Sequence, residues 1–225
     1  MAAPSRTSRL IDCSHEIVDA MTTYPGLPGP AITTHLSRED TAQRMAPGIS
    51  FQIGRIDMVA NTGTYIDSPW HFYAEGADLA GLTLAQTADL PAVVVHLARV
   101  DGGIGPDALP DGSFEGHAVL FHTGWDRHWR TAQYGEAAPF LRRDLVERLL
   151  AENVALVGID SVNIDSIEDL TRPAHHGFLG AGIPIVEHLT HLDELPERGA
   201  RFFAVPPKVS GFGTFPVRAF AMIAP

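Results

Sequence analysis

The chain has 225 residues, 45% hydrophobic and 19% charged, a balance that fits a folded globular domain and excludes the disordered and collagen-like classes. A formal net charge of −11, with basic residues scattered rather than clustered, opposes phosphate backbones, so nucleic acid is not an expected partner. Cys13 is the single cysteine, no run approaches the ~18 apolar residues of a membrane span, and the first ten residues lack the apolar core of a secretion signal; the expectation is a cytoplasmic protein without membrane contact.

Residues 1–7 read as a flexible terminus and 8–225 as one domain, because no repeat, low-complexity tract or linker interrupts the chain. The Pro- and Gly-dense run from Thr22 to Pro30 predicts an irregular loop, continued by the polar stretch 35–48. Residues 51–60 partly alternate, with Phe51, Ile53, Ile56 and Met58 apolar, as in a strand bulged near Gly54. Short β-branched or aromatic runs at 92–98, 117–123, 154–160, 201–205 and 217–223 predict the core strands. Between two of them, residues 139–153 open on Pro139 and set Phe140, Leu141, Leu145, Val146, Leu149 and Leu150 on one helical face, with charges on the other. Strand, amphipathic helix and strand ending in Asp160 predict a crossover unit, hence an α/β sheet with helices packed on it. A second helix is expected near Pro173 or after Pro184, carrying residues 187–195.

The densest polar segment is 61–72: Asn61, Thr62, Gly63, Thr64, Tyr65, Ile66, Asp67, Ser68, Pro69, Trp70, His71, Phe72. Taken alone, Asp67-Ser68-Pro69 is a turn and His71 a packed histidine. The whole segment resembles the signature of the cyclase family of metal-dependent hydrolases, which includes kynurenine formamidases and isatin hydrolases and reads H-x-G-T-H-x-D-x-P-x-H-F. Gly63, Thr64, Asp67, Pro69, His71 and Phe72 match it, whereas Asn61 and Tyr65 stand where that signature has two metal-binding histidines. A second family segment, H-x-x-L-L-x-x-x-I-x-I-x-E, is similar to residues 175–187, with His175 and Glu187 retained and His176 set aside as the neighbour. The resemblance extends to Asp12-Cys13-Ser14-His15, Thr123-Gly124-Trp125-Asp126, Gly158-Ile159-Asp160-Ser161 and Pro216-Val217-Arg218.

The resemblance implies a swivelling β/β/α-type domain with a mixed sheet flanked by helices, and a homodimer or larger homo-oligomer in which neighbouring chains shape the pocket. It implies His71 as general acid or base, with Glu187, Tyr65 and Asn61 as further catalytic candidates. Asp67, His175 and Glu187 remain as ligands for one divalent cation, Mn²⁺, Mg²⁺ or Zn²⁺, at a weakened site, or for none. The expected activity is hydrolysis, ring closure or ring opening of a small carbonyl compound. Kynurenine formamidase and a non-catalytic binding protein of the same fold are the two alternatives. His117, His122 and His128, with Trp125 and Trp129, are candidates for the pocket wall. Asp101 to Pro106 is Gly-rich but lacks the order of a dinucleotide site.

Overall fold

The computed structural model describes residues 8–97, 100 and 102–224. The expected flexible terminus 1–7, Ala98 at the end of one expected strand and Asp101 of the Gly-rich loop lie outside the described residues. In chain order the elements are β1 (Arg9–Asp12), β2 (Ala31–Leu36), α1 (Arg38–Ala42), β3 (Ile53–Asp57), β4 (Tyr65–Asp67), α2 (Leu84–Thr87), β5 (Leu90–His96), β6 (Gly103–Ile104), β7 (Ala118–His122), β8 (Phe140–Leu141), α3 (Arg143–Ala151), β9 (Leu156–Ile159), α4 (Pro173–Gly180), β10 (Ile185–Glu187), β11 (Arg198–Phe203), β12 (Thr214–Pro216) and β13 (Phe220–Ile223).

Nine strands form one mixed sheet in the order β1-β13-β11-β5-β7-β9-β10-β4-β12. Its centre is parallel, with Val93 opposite Val119 and Val119 opposite Val157, while β11, β13 and β1 on one side and β4 and β12 on the other run antiparallel to their neighbours. The central strands are buried on both faces, which is why they read as continuous apolar runs. Alternation along β5 still sorts the side chains: Val93 and Val95 meet the helices, and Ala92 and Val94 face the other way.

On the helical face, Leu145, Val146 and Leu149 of α3 and Phe178 and Leu179 of α4 pack on Val119, Phe121, Val157, Ile159 and Ile185. Each of these buried apolar side chains contributes roughly 1.5–3 kcal/mol of transfer free energy. On the opposite face, Ile11, Phe202 and Ala221 from one end of the sheet and Ile66 and Val186 from the other share a single core, so the sheet curls on itself and needs no helix there. The mixed α/β sheet and the β7-α3-β9 crossover stand as the sequence predicts.

Several expected elements differ. The helix expected from Pro139 begins at Arg143, because Phe140 and Leu141 pair in parallel with Gly103 and Ile104; two adjacent apolar residues satisfy either period. The helix near Pro173 exists, but residues 187–195 do not continue it: Glu187 ends β10, and His188 and His191 take positive φ values of 57° and 54°. Leu189 and Leu195 from irregular chain and Leu192 from a 3₁₀ turn at Leu192–Glu194 fill the core instead. The expected strand at 51–60 forms as β3, yet it pairs with β2 rather than entering the core. The register between them shifts at Thr34/Leu36. Both strands are exposed almost throughout, and Ser37 caps α1 at the far end of this arm.

Candidate active site

The segment 61–72 holds a buried strand of the main sheet, β4, followed by a 3₁₀ turn at Pro69–His71. The local sequence explains both parts. Tyr65, Ile66 and Asp67 alternate, and Pro69 enters the turn at its first position, where its missing N–H costs nothing. With a strand period of two, Tyr65 and Asp67 point to the helical face and Ile66 to the opposite core. Antiparallel register then does the assembling. Glu187 of β10 lies directly opposite Tyr65, and Thr214 of β12 directly opposite Asp67, at a separation where cross-strand side chains meet.

The Tyr65 hydroxyl donates to Glu187 Oε2 at 2.6 Å, and the Ile164 amide donates to Glu187 Oε1 at 2.7 Å. Burial pushes the Tyr65 phenol well above its ordinary value, and Glu187 and Asp67 add to the effect, while Asn61 beside the phenol oxygen pulls the other way. Tyr65 therefore stays protonated and spends its proton on Glu187. Burial likewise pushes the Glu187 carboxyl up to about 7, with His175 opposing and Asp67 reinforcing.

His175 comes from the first turn of α4. Its Nδ1 is 2.7 Å from Asp165 Oδ2, and the Asp165 carboxylate also accepts the Ala174 and His175 backbone amides at 2.7 and 3.0 Å. Asp165 thus caps α4 from outside the helix and fixes the imidazole at the same time. With Nδ1 donating to a carboxylate, Nε2 faces inward, 3.8 Å from Asp67 Oδ2 and 3.7 Å from Glu187 Oε1. Burial alone would lower the His175 pKa; the hydrogen bond to Asp165 and the charges of Glu187, Asp67 and Asp165 outweigh it, and the net direction is up.

Asp67 is fully buried. Thr214 Oγ1 donates to its Oδ1, and the same hydroxyl lies 3.1 Å from His71 Nδ1. Asp67 Oδ2 has no hydrogen-bond partner. A buried, orphaned carboxylate oxygen beside an oriented imidazole nitrogen is costly unless a cation shares it. Ligand atoms of Asp67, His71 and His175 lie within 4.8 Å of one another. The residues present therefore fit a divalent cation at Asp67 and His175, with either His71 or Glu187 completing a protein triad.

His71 and His175 share a cavity of about 240 Å³, lined also by Tyr24, Asn61, Phe72 and Glu187. The structure thus brings together Asn61, Tyr65, Asp67, His71, His175 and Glu187. His117 and His122 stand elsewhere, the latter with its Nδ1 3.0 Å from His96 Nδ1. Trp129 stacks on His15 at 4.1 Å between ring centroids, and Trp125 lines an adjoining cavity of about 890 Å³ that shares Asn163 with the first and is also lined by Asp165. Sequence reasoning missed Asp165, Thr214, Asn163 and Arg172. None belongs to a motif recognisable by spacing, since their relation to Asp67 and His175 arises from strand pairing and from the entry of α4.

Fold and site together define an enzyme with a carboxylate–histidine centre set on the sheet under α4. Residues 11–166 match the family described as "Putative cyclase", and the chain belongs to this cyclase family. Kynurenine formamidase of Bacillus cereus is 29% identical over 215 residues, 95% of this chain and 97% of that one. A structure described as a predicted metal-dependent hydrolase from Bacillus stearothermophilus is 27% identical, with a TM-score of 0.75 over 97% of this chain and 100% of that one. Isatin hydrolase A from Labrenzia aggregata shares the fold at a TM-score of 0.83, covering 97% of this chain and 94% of that one at 20% identity. Among the described residues, no helix is long and apolar enough to cross a membrane.

Proposed function

We propose that this chain hydrolyses a small carbonyl compound with an amide-type C–N bond, or opens or closes the corresponding ring, with His71 as the acid–base group. The observation that carries the reading is the buried Asp67 Oδ2, which lacks a hydrogen-bond partner, facing His175 Nε2 at 3.8 Å beside the solvent-reaching ring of His71. The kinship to a kynurenine formamidase and to a protein described as a metal-dependent hydrolase supports the same chemistry.

Asp67 and His175 would hold one divalent cation, with Glu187 as third ligand. Bound there, such a cation supplies Lewis-acid polarisation of a carbonyl and acidifies water. The remaining steps belong to the chain. His71 Nε2 receives the proton of the attacking water as the C–O bond forms and returns it to the leaving nitrogen as the C–N bond breaks. Tyr65 and Ile164 hold Glu187 in place, and Asp165 holds His175. Asn61 and Tyr65 provide no imidazole, so zinc should bind less tightly than at a histidine-rich site.

The test combines metal content with turnover. Protein purified without added metal should contain clearly less than one zinc per chain by elemental analysis, and calorimetry should show Mn²⁺ binding that Asp67→Ala and His175→Ala abolish. His71→Ala should lower turnover of an N-formyl aromatic amine by roughly 10²-fold or more while leaving the fold intact. Full activity in a folded His71→Ala protein would remove His71 from the mechanism, and two tightly held zincs per chain would displace the ligand assignment. N-formylkynurenine belongs in the same assay, because the formamidase kinship makes it the first named substrate to try.

A further inference from the structure

Among the described residues, Arg172 is the only lysine or arginine that lines the active-site cavity. It precedes Pro173 at the mouth of α4 with φ 45° and ψ 61°, a left-handed conformation that strains a non-glycine residue. Its side chain is half-buried, and its one hydrogen bond runs from Nη1 to Asn163 Oδ1 at 3.2 Å, a neutral acceptor that also takes the Asp165 amide at 2.9 Å. Among the described residues no carboxylate lies within ion-pairing distance of the guanidinium. Asp169, the nearest acid in sequence, accepts from the Thr171 hydroxyl and amide, and these bonds, with smaller help from the charges of Arg143 and Arg172, hold its carboxyl below the usual value without an ion-pair contact. Most of the five N–H donors of Arg172 are therefore unspent.

The electrostatic setting makes this arginine unusual. The site contains Asp67, Asp165 and Glu187 in a chain of net charge −11; a divalent cation held by Asp67 and His175 would offset part of that charge at the reacting centre, and Arg172 places a second fixed positive charge apart from it. A strained residue at the cavity lining whose guanidinium has no ion pair among the described residues has a physical rationale when that guanidinium meets an oxyanion in a two-pronged contact. We infer that Arg172 anchors a carboxylate of the substrate, so that the compound turned over is an anionic one: an amide or lactam bearing a carboxylate set apart from the reacting carbonyl. The inference rests on the proposed hydrolytic reading for its reaction, and on Arg172 alone for its charge. Asn163 acts with it as a positioning residue, accepting from Nη1 and leaving the remaining donors to a ligand.

Two matched pairs of compounds separate the two ideas. The first pair, benzoate and benzamide, is titrated by NMR or calorimetry into the wild type, Arg172→Lys and Arg172→Gln. The second pair, N-formyl-2-aminobenzoate and N-phenylformamide, is assayed for turnover. Wild type should prefer benzoate by roughly 10-fold or more, as a charge-assisted contact provides. Arg172→Gln should lose that preference, and Arg172→Lys should keep part of it. The ratio of kcat/KM for the charged over the neutral formamide should collapse in Arg172→Gln through KM rather than kcat, with circular dichroism unchanged. Hydrolysis of both formamides with a ratio that Arg172→Gln leaves intact overturns the anchor and keeps the hydrolase. Arginine-dependent benzoate binding without hydrolysis of either formamide keeps the anchor and removes the hydrolase. Binding of neither benzoate nor benzamide up to about 10 mM counts against the anchor.

Discussion

Thr214 illustrates how one hydroxyl sets the chemistry of its neighbours. It has a single proton, and the Asp67 carboxylate takes it; the oxygen, 3.1 Å from His71 Nδ1, must then accept from that nitrogen. Neutral His71 is therefore held as the Nδ1–H tautomer, with the lone pair of Nε2 free to act as a base. Thr214→Val should release this tautomer, lower turnover about 10-fold or more, and leave Asp67 Oδ1 unpaired at a cost of roughly 1–3 kcal/mol. Thr214→Ser should restore both. Nitrogen-15 shifts of the His71 ring report the tautomer without any substrate, and a ring that keeps Nδ1–H in Thr214→Val would refute the role. Asp67, His71, His175 and Glu187 are legible in the sequence through the resemblance. Thr214 and Asp165 are not, because a hydroxyl or carboxylate far away in the chain carries no local signal of what it will meet.

The elements that matter most to the site are very short. Strands β4, β10 and β12 have three residues each, too few for a period to declare itself, and hydropathy places 61–72 as a loop because Thr62, Thr64, Asp67 and Ser68 are polar. All four are buried nonetheless. Thr64 donates to the His188 carbonyl at 2.5 Å and Ser68 to the Gly213 carbonyl at 3.0 Å across strands, and Thr62 donates locally to the Val59 carbonyl, whereas Asp67 Oδ2 keeps no hydrogen-bond partner. Gly213, which leads into β12, is needed for closeness: a Cβ there would sit 2.7 Å from both N and Cα of His71. Backbone cannot yield as a flexible side chain does. Gly213→Ala should therefore push the 3₁₀ turn away from Thr214, cost roughly 1–3 kcal/mol in a urea titration, and reduce turnover with the rest of the sheet intact. Unchanged stability and activity would show that the turn has slack.

At the scale of the molecule, the arm of β2 and β3 is the feature that the rest of the chain leaves unfinished. A two-stranded hairpin is at best marginally stable by itself, yet Ile32 and Ile56 face each other on it in register, and Phe51 and Ile53 beside them are exposed. Both ends of the arm adjoin the site, since Tyr24 and Leu27 precede it and Asn61 follows it in the cavity lining. We propose that a second copy of the chain covers this arm in a twofold dimer, which buries the apolar pair and brings the neighbour close to the cavity. Sedimentation velocity should give twice the chain mass of 24.3 kDa. Ile53→Glu combined with Ile56→Glu should give a folded monomer. A monomeric wild type, or a double variant that stays dimeric, would place the apolar arm in another role.

The sequence by itself determined the α/β class, the central strands, the crossover through α3 and the family, because each is written in a contiguous stretch whose period or motif reflects burial. Only the tertiary structure decided which residues share the site and what each donates. Tyr65 meets Glu187 through antiparallel register, Asp67 meets Thr214 through a strand far along the chain, and Arg172 reaches the cavity because Asp165 fixes the entry of α4. The physical reason is the same in each case. Hydrogen-bond partners across strands are set by register and curl, which are long-range outcomes of core packing and leave no period in the residues they join.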